Sequence, residues 1–417
     1  MAQADDIVIV SAARTAMGRF QGTLQELPAP ILGGAAIREV VLRAGLSSET
    51  VDEVLMGNVL QAGLGQAPAR QAAIAAGLPA RVGATTINKV CGSGLKSVML
   101  AAAMLRAGDA QVIVAGGMEN MNAAPYLLSK ARFGYRMGEG RLVDAMIQDG
   151  LRCALSGQLM GEAAEWVAER YDISREAMDA YALQSHRRAV AALERGAFAN
   201  EIVALDVPQH KGPPLCFAVD ECPRRDTDLE KLARLAPAFK SPGRVTAGNS
   251  SAIADGAAAM LLMRRERAHA LGCRPLARIV CYDQAAVEPQ QIFIAPVGAV
   301  QKVLRRAGMT LTDIDLIELN EAFAAQVLAD GRLLGLDWER VNVNGGAIAL
   351  GHPIGASGAR ILVTLLYALS ERRLARGLAA ACLGGGEAVA MIIEMEDFAE
   401  SVHQYDDREI DSAKVVT

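Results

Sequence analysis

The chain has 417 residues, too many for one small module at roughly 150 residues per domain. Hydrophobic residues make up 52% of it and glycines number 40, so a large aliphatic core is possible and a disordered chain is excluded. The formal net charge is −5, and charges of both signs are interspersed along the chain. That distribution argues against a nucleic-acid-binding surface and against a basic membrane-surface helix.

The sequence predicts neither a membrane span nor export. No uninterrupted apolar run of about 18 residues occurs, and the first ten residues, MAQADDIVIV, are acidic where a secretory signal is basic. Seven cysteines are an odd number that fits a reducing compartment better than a disulfide framework, so we expect a cytoplasmic protein. Cys216 and Cys222 lie near His210, but no second pair follows at zinc spacing, and no metal site is predicted.

Strand-like and helical patterns alternate along the chain, which is typical of an α/β protein. Short apolar runs predict strands at residues 7–10, 111–115 and 389–393. Residues 52–59 predict a strand with a polar end, which follows a helical stretch. The segment DIDLIELN at residues 313–320 has the same pattern. Segments 85–120 and 341–390 each run from a polar strand end through a Gly/Ser loop, a helix and a Gly turn into a small-residue strand.

These repeated features predict an internal duplication into two α/β halves, with chance similarity in Gly/Ala-rich sequence as the alternative. The helical spacing extends to Gly108 in the first half and to Gly377 in the second. Residues 121–246 differ in texture, with charged helices such as 175–195 and a Pro-rich stretch, and predict an insertion on the first half. The residues from Phe398 onward are polar and irregular, which is typical of a tail.

Cys91 is the first candidate for chemistry. It directly precedes Gly92, Ser93 and Gly94 at the start of the first repeated helix, so its sulfur would face unpaired N–H groups. That position predicts a pKa below the ordinary thiol value of about 8.5. The alternative is a small buried cysteine at a strand end, which residue statistics alone favour.

The equivalent loop of the second half, GHPIGASG, carries His352, one of five histidines in the chain. Two loops related by the duplication would bring His352 to Cys91, as a base that activates a nucleophile requires. One strand later, Cys382 precedes a run of three glycines that begins at Gly384. A structural histidine and an inert buried cysteine are the alternatives at these positions.

Asn320 follows the strand at residues 316–319 and would reach the same strand-end face, where its amide can hold a water or a substrate oxygen. Glu321 could equally be a solvated helix start, and its spacing assigns it no chemistry. None of the Gly-rich loops matches a phosphate-binding loop, a dinucleotide fingerprint or a serine nucleophile elbow.

At these residues the chain resembles the thiolases, from IVSAARTAMGRF through VCGSG, TAGNSSAIADGAA, NEAFA, GHPIGASGAR and CLGGG, over roughly residues 5–395. The segment GYRMGEGRLVDAMIQDGL is similar to the covering and tetramerisation region of the biosynthetic acetoacetyl-CoA type. The resemblance implies two duplicated βαβαβαββ halves in an α-β-α-β-α layering with an inserted loop domain. The expected boundaries are 1–120 with 247–272, a loop domain 121–246 for CoA binding and oligomerisation, a second half 273–397 and a tail 398–417.

Carried over to this sequence, the resemblance implies that an acyl-CoA acylates Cys91 and that His352 takes its proton. Cys382 would then be the acid and base at the α-carbon. One oxyanion site would be a water held by Asn320 together with His352. The other would be the backbone N–H groups of Cys91 and Gly384.

The resemblance also implies where coenzyme A lies, over the loop domain, with no metal and no permanently bound cofactor. The matching positions are Ser251, Arg224, Met160, Phe239, Ala247 and Phe323. Ser251 could instead be a helix-start residue, and the segment around Arg224 could be only a charged loop. A homodimer or homotetramer, with no nucleic-acid or membrane partner, is expected.

Several positions depart from the biosynthetic pattern. Leu159 stands where a histidine is usual, Ile292 and Phe293 stand where the pattern has Met-Gly, and Leu319 stands where Ala is more frequent. Glu387-Ala388 replaces the usual x-Gly after CLGGG. The acyl pocket is therefore where the resemblance constrains the substrate least.

The resulting prediction is a cytoplasmic acetyl-CoA C-acetyltransferase that joins two acetyl-CoA reversibly through a Cys91 acyl-enzyme. A 3-ketoacyl-CoA thiolase for longer or branched chains is the alternative, and a non-catalytic acyl-CoA-binding protein is the second. A decarboxylating condensing enzyme is a rival of the same fold. The second cysteine, Cys382, argues against that rival because it favours proton abstraction over decarboxylation.

Overall fold

The computed structural model describes residues 6–396, so the tail predicted at 398–417 lies outside the described residues. The strands are β1 Ile7–Thr15, β2 Gly18–Arg19, β3 Glu53–Gly57, β4 Gly83–Ile87, β5 Val112–Asn120, β6 Tyr126–Leu127, β7 Val143–Asp144, β8 Ile202–Val203, β9 Leu205–Val207, β10 Leu215–Phe217, β11 Ala254–Arg264, β12 Ala277–Ala286, β13 Leu316–Leu319, β14 Arg376–Leu383 and β15 Glu387–Met395. The helices are α1 Ala29–Arg43, α2 Pro68–Ala75, α3 Ser93–Ala107, α4 Met160–Arg170, α5 Arg175–Glu194, α6 Leu229–Ala233, α7 Arg265–Ala270, α8 Ala295–Ala307, α9 Ala324–Leu334, α10 Ala347–Leu350 and α11 Ile354–Arg372.

The strand order confirms the duplication that the repeated segments predicted. In the first half the order is β4-β3-β5-β11-β1, with β3 parallel to both neighbours and β11 antiparallel to both. In the second half it is β13-β14-β15-β12, with one parallel and two antiparallel pairings. A parallel bridge from Ile317 to Val341 stands where the first half has β4. The two halves join through a short antiparallel pairing of β1 with β12.

The helices pack on these strands in five layers. Helices α1 and α2 cover the outer face of the first half, α8 and α9 cover the outer face of the second, and α3 and α11 lie between the strands of the two halves. The central helices approach closely because each presents a glycine to the backbone of the other: a Cβ on Gly94 would lie 2.7 Å from the backbone N of Ala359, and one on Gly358 would lie 2.6 Å from that of Leu95. This contact brings the first turns of both helices to one place.

The two central helices end differently. As predicted, α3 ends at Gly108, whose φ of 85° is the left-handed conformation that glycine adopts without strain. The prediction that the second helix extends to Gly377 is wrong. Helix α11 ends at Arg372, Arg373 takes the left-handed conformation, and Gly377 already lies in β14. There a Cβ would meet Leu365 and Leu369 of the helix, so this glycine serves close helix–strand packing.

Residues 121–246 carry α4, α5, α6 and five short strands, and only β8 among these strands joins the main sheet. The boundaries of a separate loop domain stay a prediction. Within the described residues, one helical segment, Val90–Ala107, is long and apolar enough to cross a membrane by length and composition. It contains α3, and 61% of it is buried inside the protein.

Candidate active site

A cavity of about 1130 Å³ lies where loops of both halves meet residues of the 121–246 segment. Four of the five predicted catalytic residues line it: Cys91, His352, Cys382 and Gly384. All six residues predicted to bind coenzyme A line it as well: Ser251, Arg224, Met160, Phe239, Ala247 and Phe323. The fold therefore brings together residues that are up to about 290 positions apart in the sequence, since Cys91 and Cys382 belong to different halves.

Cys91 lies in a rigid loop just before α3. Its neighbour Val90 has a φ of 46°, a left-handed conformation that costs a β-branched residue energy. The Oγ of Ser93 holds the loop, since it accepts a hydrogen bond from the N–H of Lys89 at 2.8 Å and donates to the carbonyl of Val90 at 2.6 Å. A Cβ on Gly92 would lie only 2.0 Å from Leu383, so the loop packs directly on the end of β14.

The prediction that the helix start lowers the pKa of Cys91 is wrong. Burial raises the pKa of this thiol to about 12, and hydrogen bonds from the backbone N–H groups of Gly384 and Cys91 itself lower it by less. The thiol is only 8% exposed, so the loss of hydration outweighs the N–H groups. The same two N–H groups nevertheless converge on the sulfur, as the predicted oxyanion site requires.

His352 is held in one tautomer. Its backbone N–H donates to the carbonyl of Ala252 at 2.8 Å, and its Nδ1 lies 2.6 Å from Ser357 Oγ. That hydroxyl also lies 2.8 Å from the carbonyl of Pro353, and when it donates its proton there, Nδ1 is the protonated nitrogen. Nε2 is buried and has no hydrogen-bond partner among the described residues, so its lone pair is free to accept a proton.

The imidazole of His352 is neutral at physiological pH. Burial first, and then the positive charge of Arg360, lower its pKa to about 3. Arg360 is itself fully buried and lies 3.6 Å from Glu318. A neutral imidazole with a free Nε2 is the form that a general base needs.

Cys382 lines the same cavity as Cys91. It is 1% exposed, at the end of β14, and its pKa lies well above the ordinary value because of burial, then Cys91 and Asp330. Sequence reasoning missed Asp330, a buried carboxyl on α9 that accepts a hydrogen bond from Gln326 at 2.7 Å. Cys91 and Cys382 are therefore both neutral thiols in the resting protein.

Asn320 is the one predicted catalytic residue that does not line the cavity. It is fully buried directly after β13, and both side-chain polar atoms lack a hydrogen-bond partner among the described residues. Its backbone N–H donates to Ala380 at 2.9 Å, and its carbonyl accepts from Ala322, which does line the cavity. The amide thus lies one layer behind the cavity wall.

Glu321 is a buried residue at the centre of a hydrogen-bond network, and it does not start a solvated helix. Its carboxylate accepts hydrogen bonds from Tyr181 Oη at 2.9 Å, Ser185 Oγ at 2.7 Å, Asn342 Nδ2 at 3.0 Å and the N–H of Ile348 at 3.1 Å. These partners come from α5, from the segment between α9 and α10, and from α10. The network fixes the Asn320 segment against the rest of the protein.

Glu119 is a second buried carboxylate that sequence reasoning missed. It accepts hydrogen bonds from the N–H groups of Val59 and Leu60 at 3.1 Å, from the N–H of Gly355 at 2.8 Å and from Asn58 Nδ2 at 2.7 Å. Burial raises its pKa to about 7 although these bonds lower it. It ties the turn after β3 to the first turn of α11, next to His352. The signal in the sequence was a charged residue inside the apolar strand β5.

Charged side chains of both signs line the cavity near Arg224. Arg225 pairs with Glu194 and Lys231 pairs with Asp226, whereas Arg224 makes no ion pair with any residue that the structure describes. His186 accepts a hydrogen bond from the N–H of Arg224 at 3.2 Å, and burial lowers the pKa of His186 to about 4. Ser251 contacts the Asn320 segment through a hydrogen bond from its N–H to the carbonyl of Ala322 at 3.1 Å.

The departures from the biosynthetic pattern fall in different places. Leu159, Ile292 and Phe293 line the cavity. Leu319 does not: it is 1% exposed in the outer core of the second half, so it lies away from bound substrate. Its backbone exchanges hydrogen bonds with the side chain of Asn342.

Glu387, which departs from the biosynthetic pattern, forms an ion pair with Lys89. Its two carboxylate oxygens accept hydrogen bonds from Lys89 Nζ at 2.8 Å and 2.7 Å. Lys89 is two residues before Cys91, and Glu387 follows the glycines after Cys382. The ion pair therefore joins the Cys91 loop to the start of β15, which follows the glycine turn after Cys382.

Comparisons with known proteins agree with this architecture. Residues 7–266 match the family described as "Thiolase, N-terminal domain" and residues 273–395 match "Thiolase, C-terminal domain". A protein of Pseudomonas aeruginosa named acetyl-CoA acetyltransferase is 56% identical over 388 residues, covering 93% of this chain and 99% of that protein. A protein of Escherichia coli with the same name is 57% identical, with 93% and 98% covered.

A solved structure shares the fold. The crystal structure of the Bacillus anthracis acetyl-CoA acetyltransferase superposes with a TM-score of 0.92 at 43% identity, covering 94% of this chain and 99% of that chain. The thiolase-like α/β fold predicted from the motifs is confirmed. The family matches together span most of the residues from 7 to 395, and the chain therefore belongs to the thiolase family.

Proposed function

We propose that this thiolase joins two acetyl-CoA reversibly into acetoacetyl-CoA and free coenzyme A, with Cys91 as the acylated nucleophile. The observation that carries the proposal is one cavity lined by two neutral cysteines and a histidine whose Nε2 is free. The relatives that carry the name acetyl-CoA acetyltransferase, at 56% and 57% identity, support the substrate.

In the first half-reaction Cys91 Sγ attacks the thioester carbonyl, and its proton passes to His352 Nε2. The carbon–sulfur bond to coenzyme A breaks, and the departing thiolate takes the proton of Cys382. Negative charge on the carbonyl oxygen is stabilised by the N–H groups of Cys91 and Gly384, which converge on the sulfur. Each donor of this kind is worth about 2.7–4 kcal/mol in a measured case.

In the second half-reaction the Cys382 thiolate removes the α-proton of a second acetyl-CoA. The enolate carbon attacks the Cys91 thioester, a carbon–carbon bond forms, and the Cys91 thiolate leaves and recovers its proton from His352. We assign the oxyanion site for the enolate to His352 together with a water held by Asn320, whose buried amide has two polar atoms without partners among the described residues. Cys91, His352 and Cys382 are thus all neutral again after one turnover.

Coenzyme A is the substrate that fits the rest of the cavity. At about 1130 Å³ it exceeds the usual range of about 300–1,000 Å³ for ligand pockets, which suits a long ligand. The guanidinium of Arg224, which makes no ion pair with a described residue, suits a phosphate, and the apolar stretch with Met160, Phe239 and Ala247 suits a pantetheine arm.

We also propose a cytoplasmic homodimer or homotetramer. All seven cysteines are free. The exposed apolar side chains of Phe133 and Met137, 85% and 97% accessible, support contact with another subunit.

Intact-mass spectrometry after mixing with acetyl-CoA tests the nucleophile. We expect an acetyl adduct on the wild type and on Cys382→Ser, and none on Cys91→Ser, because only Cys91 is acylated. An adduct that persists in Cys91→Ser would place the nucleophile elsewhere. Turnover of malonyl-CoA with release of carbon dioxide would instead indicate a decarboxylating condensing enzyme.

A further inference from the structure

The catalytic end of the cavity has two walls of different composition. One, the Cys382 wall, consists of Ile292, Phe293 and Phe323, which pack in one apolar cluster with Cys382. The other, the Cys91 wall, consists of Met121 and Ile354, which pack in a separate cluster with Cys91. The two reacting sulfurs are therefore bordered by different side chains.

The Cys382 wall is aromatic and tightly packed. The ring of Phe293 meets Phe323 edge to face, with centroids 5.2 Å apart at 62°, and Phe323 meets Phe239 in the same way at 6.1 Å and 81°. Phe293 is only 1% exposed. Aromatic pairs in this arrangement resist displacement, so the ring of Phe293 has little freedom to move aside for a larger ligand.

The backbone behind Phe293 is fixed to the glycine loop after Cys382. The segment that carries the ring is a 3₁₀ helix, Pro289–Ile294. Just before it, the N–H of Val287 donates to the carbonyl of Gly386 at 2.7 Å. A Cβ on Gly386 would lie 2.6 Å from the carbonyl oxygen of Val287, so the two segments are in backbone contact. The wall cannot retreat without breaking the loop that holds Gly384.

We propose that Phe293 makes the enzyme select against substituents on the α-carbon of the substrate, while the Cys91 wall sets the length of the acyl group. This inference rests on the proposed function, in which Cys382 exchanges the α-proton. The α-carbon must then lie beside Cys382, and a second substituent on it faces the Cys382 wall. The acyl group on Cys91 extends from the other sulfur and faces Met121 and Ile354.

Thiolysis of three esters by coenzyme A tests this assignment: acetoacetyl-CoA, 2-methylacetoacetyl-CoA and 3-ketohexanoyl-CoA. The second adds a methyl on the α-carbon, and the third lengthens only the acyl group that Cys91 receives. For the wild type we expect kcat/KM on the branched ester to be about 10- to 200-fold below that on acetoacetyl-CoA, the range for a misfit of one methylene.

Phe293→Ala should raise the branched-to-unbranched ratio of kcat/KM at least about tenfold, and Phe293→Leu should raise it by less. Met121→Ala is the matched control on the other wall. It should raise the ratio for 3-ketohexanoyl-CoA and leave the branched ratio within about twofold of the wild type. The leucine variant keeps the test informative if the alanine variant does not fold, as circular dichroism and thermal unfolding would reveal.

The outcomes separate this inference from the proposed function. No thiolysis of acetoacetyl-CoA by the wild type would remove the proposed function itself. Normal acetoacetyl-CoA thiolysis with an unchanged branched ratio in both Phe293 variants would overturn the role of Phe293. The Met121 and Phe293 variants could also change the branched ratio and the 3-ketohexanoyl-CoA ratio of kcat/KM equally. That result would overturn the inference that the two walls have separate roles.

Discussion

The Cys91 loop (residues 89–92) and the His352 loop (residues 351–353) occupy equivalent places in the two halves. Each precedes the first turn of a central helix, α3 or α11, and the two helices meet through Gly94 and Gly358. Yet one loop presents a sulfur to two N–H groups, and the other presents an imidazole held by a hydroxyl. The duplication thus supplies one scaffold on which two different side chains face each other.

Burial acts in the same direction on both loops. It favours the uncharged form, so it raises the pKa of Cys91 to about 12 and lowers that of His352 to about 3. The helix starts do not overcome this loss of hydration. Both groups are therefore neutral before substrate binds. A charged Cys91–His352 pair should form only when Cys91 attacks the substrate and its proton moves to His352.

Replacing the base should have the largest effect. In His352→Asn the side chain cannot accept the proton of Cys91, so we expect acetylation of Cys91 to slow by about 10²- to 10⁴-fold. Rapid-quench mass spectrometry of the acetyl adduct measures this rate. Ser357→Ala is the matched control, because it keeps the imidazole and removes only its Nδ1 partner; the loss should be about two- to thirteenfold. Acetylation of His352→Asn at the wild-type rate would show that another group is the base.

The protonation state of Cys91 should be visible in its pH dependence. Below a pKa of about 12 the thiolate fraction rises tenfold with each pH unit, so the alkylation rate by iodoacetamide should rise about tenfold per unit from pH 7 to pH 10. Peptide mass spectrometry of Cys91, with Cys91→Ala to identify the labelled site, gives the rate. A plateau that begins below about pH 8.5 would restore the lowered pKa that the loop sequence alone predicted.

The contact between the two helices should tolerate no added volume. In Gly358→Ala the new Cβ would lie 2.6 Å from the backbone N of Leu95, which must force the helices apart. We expect a loss of about 1–3 kcal/mol of unfolding free energy in urea denaturation, with weaker acetylation because the loops separate. In the control Gly298→Ala, on α8, the nearest atom is the Cβ of Ala285 at 3.2 Å, and stability should change little. Equal stability of both variants would mean that the helix contact does not set the loop geometry.

Much of the fold follows from local pattern. The repeated strand, glycine loop and helix predicted two α/β halves, and the strand order confirms them, because strand and helix periodicity depend on neighbours in the chain. The end of α11 was misplaced, since Gly377 marks close packing inside β14 and not a helix stop. Spacing alone could not distinguish those two uses of glycine.

The sequence predicted which reactive side chains form the candidate site. It did not predict the buried residues that surround them. Cys91, His352 and Cys382 lie in glycine-rich motifs that can be recognised from the sequence alone. Glu119 and Asp330 were missed because their importance comes from contacts with distant segments. Gly355, which donates to Glu119, is 236 positions away in the chain.

The sequence by itself determined the duplicated α/β architecture and the side chains available for acyl transfer. Only the tertiary structure decided their state: the neutral thiol of Cys91, the tautomer of His352 and the aromatic wall at Phe293. The physical reason is that hydration, hydrogen bonding and steric contact at a side chain depend on atoms from every segment packed around it. Those segments come together only when the two halves close on each other.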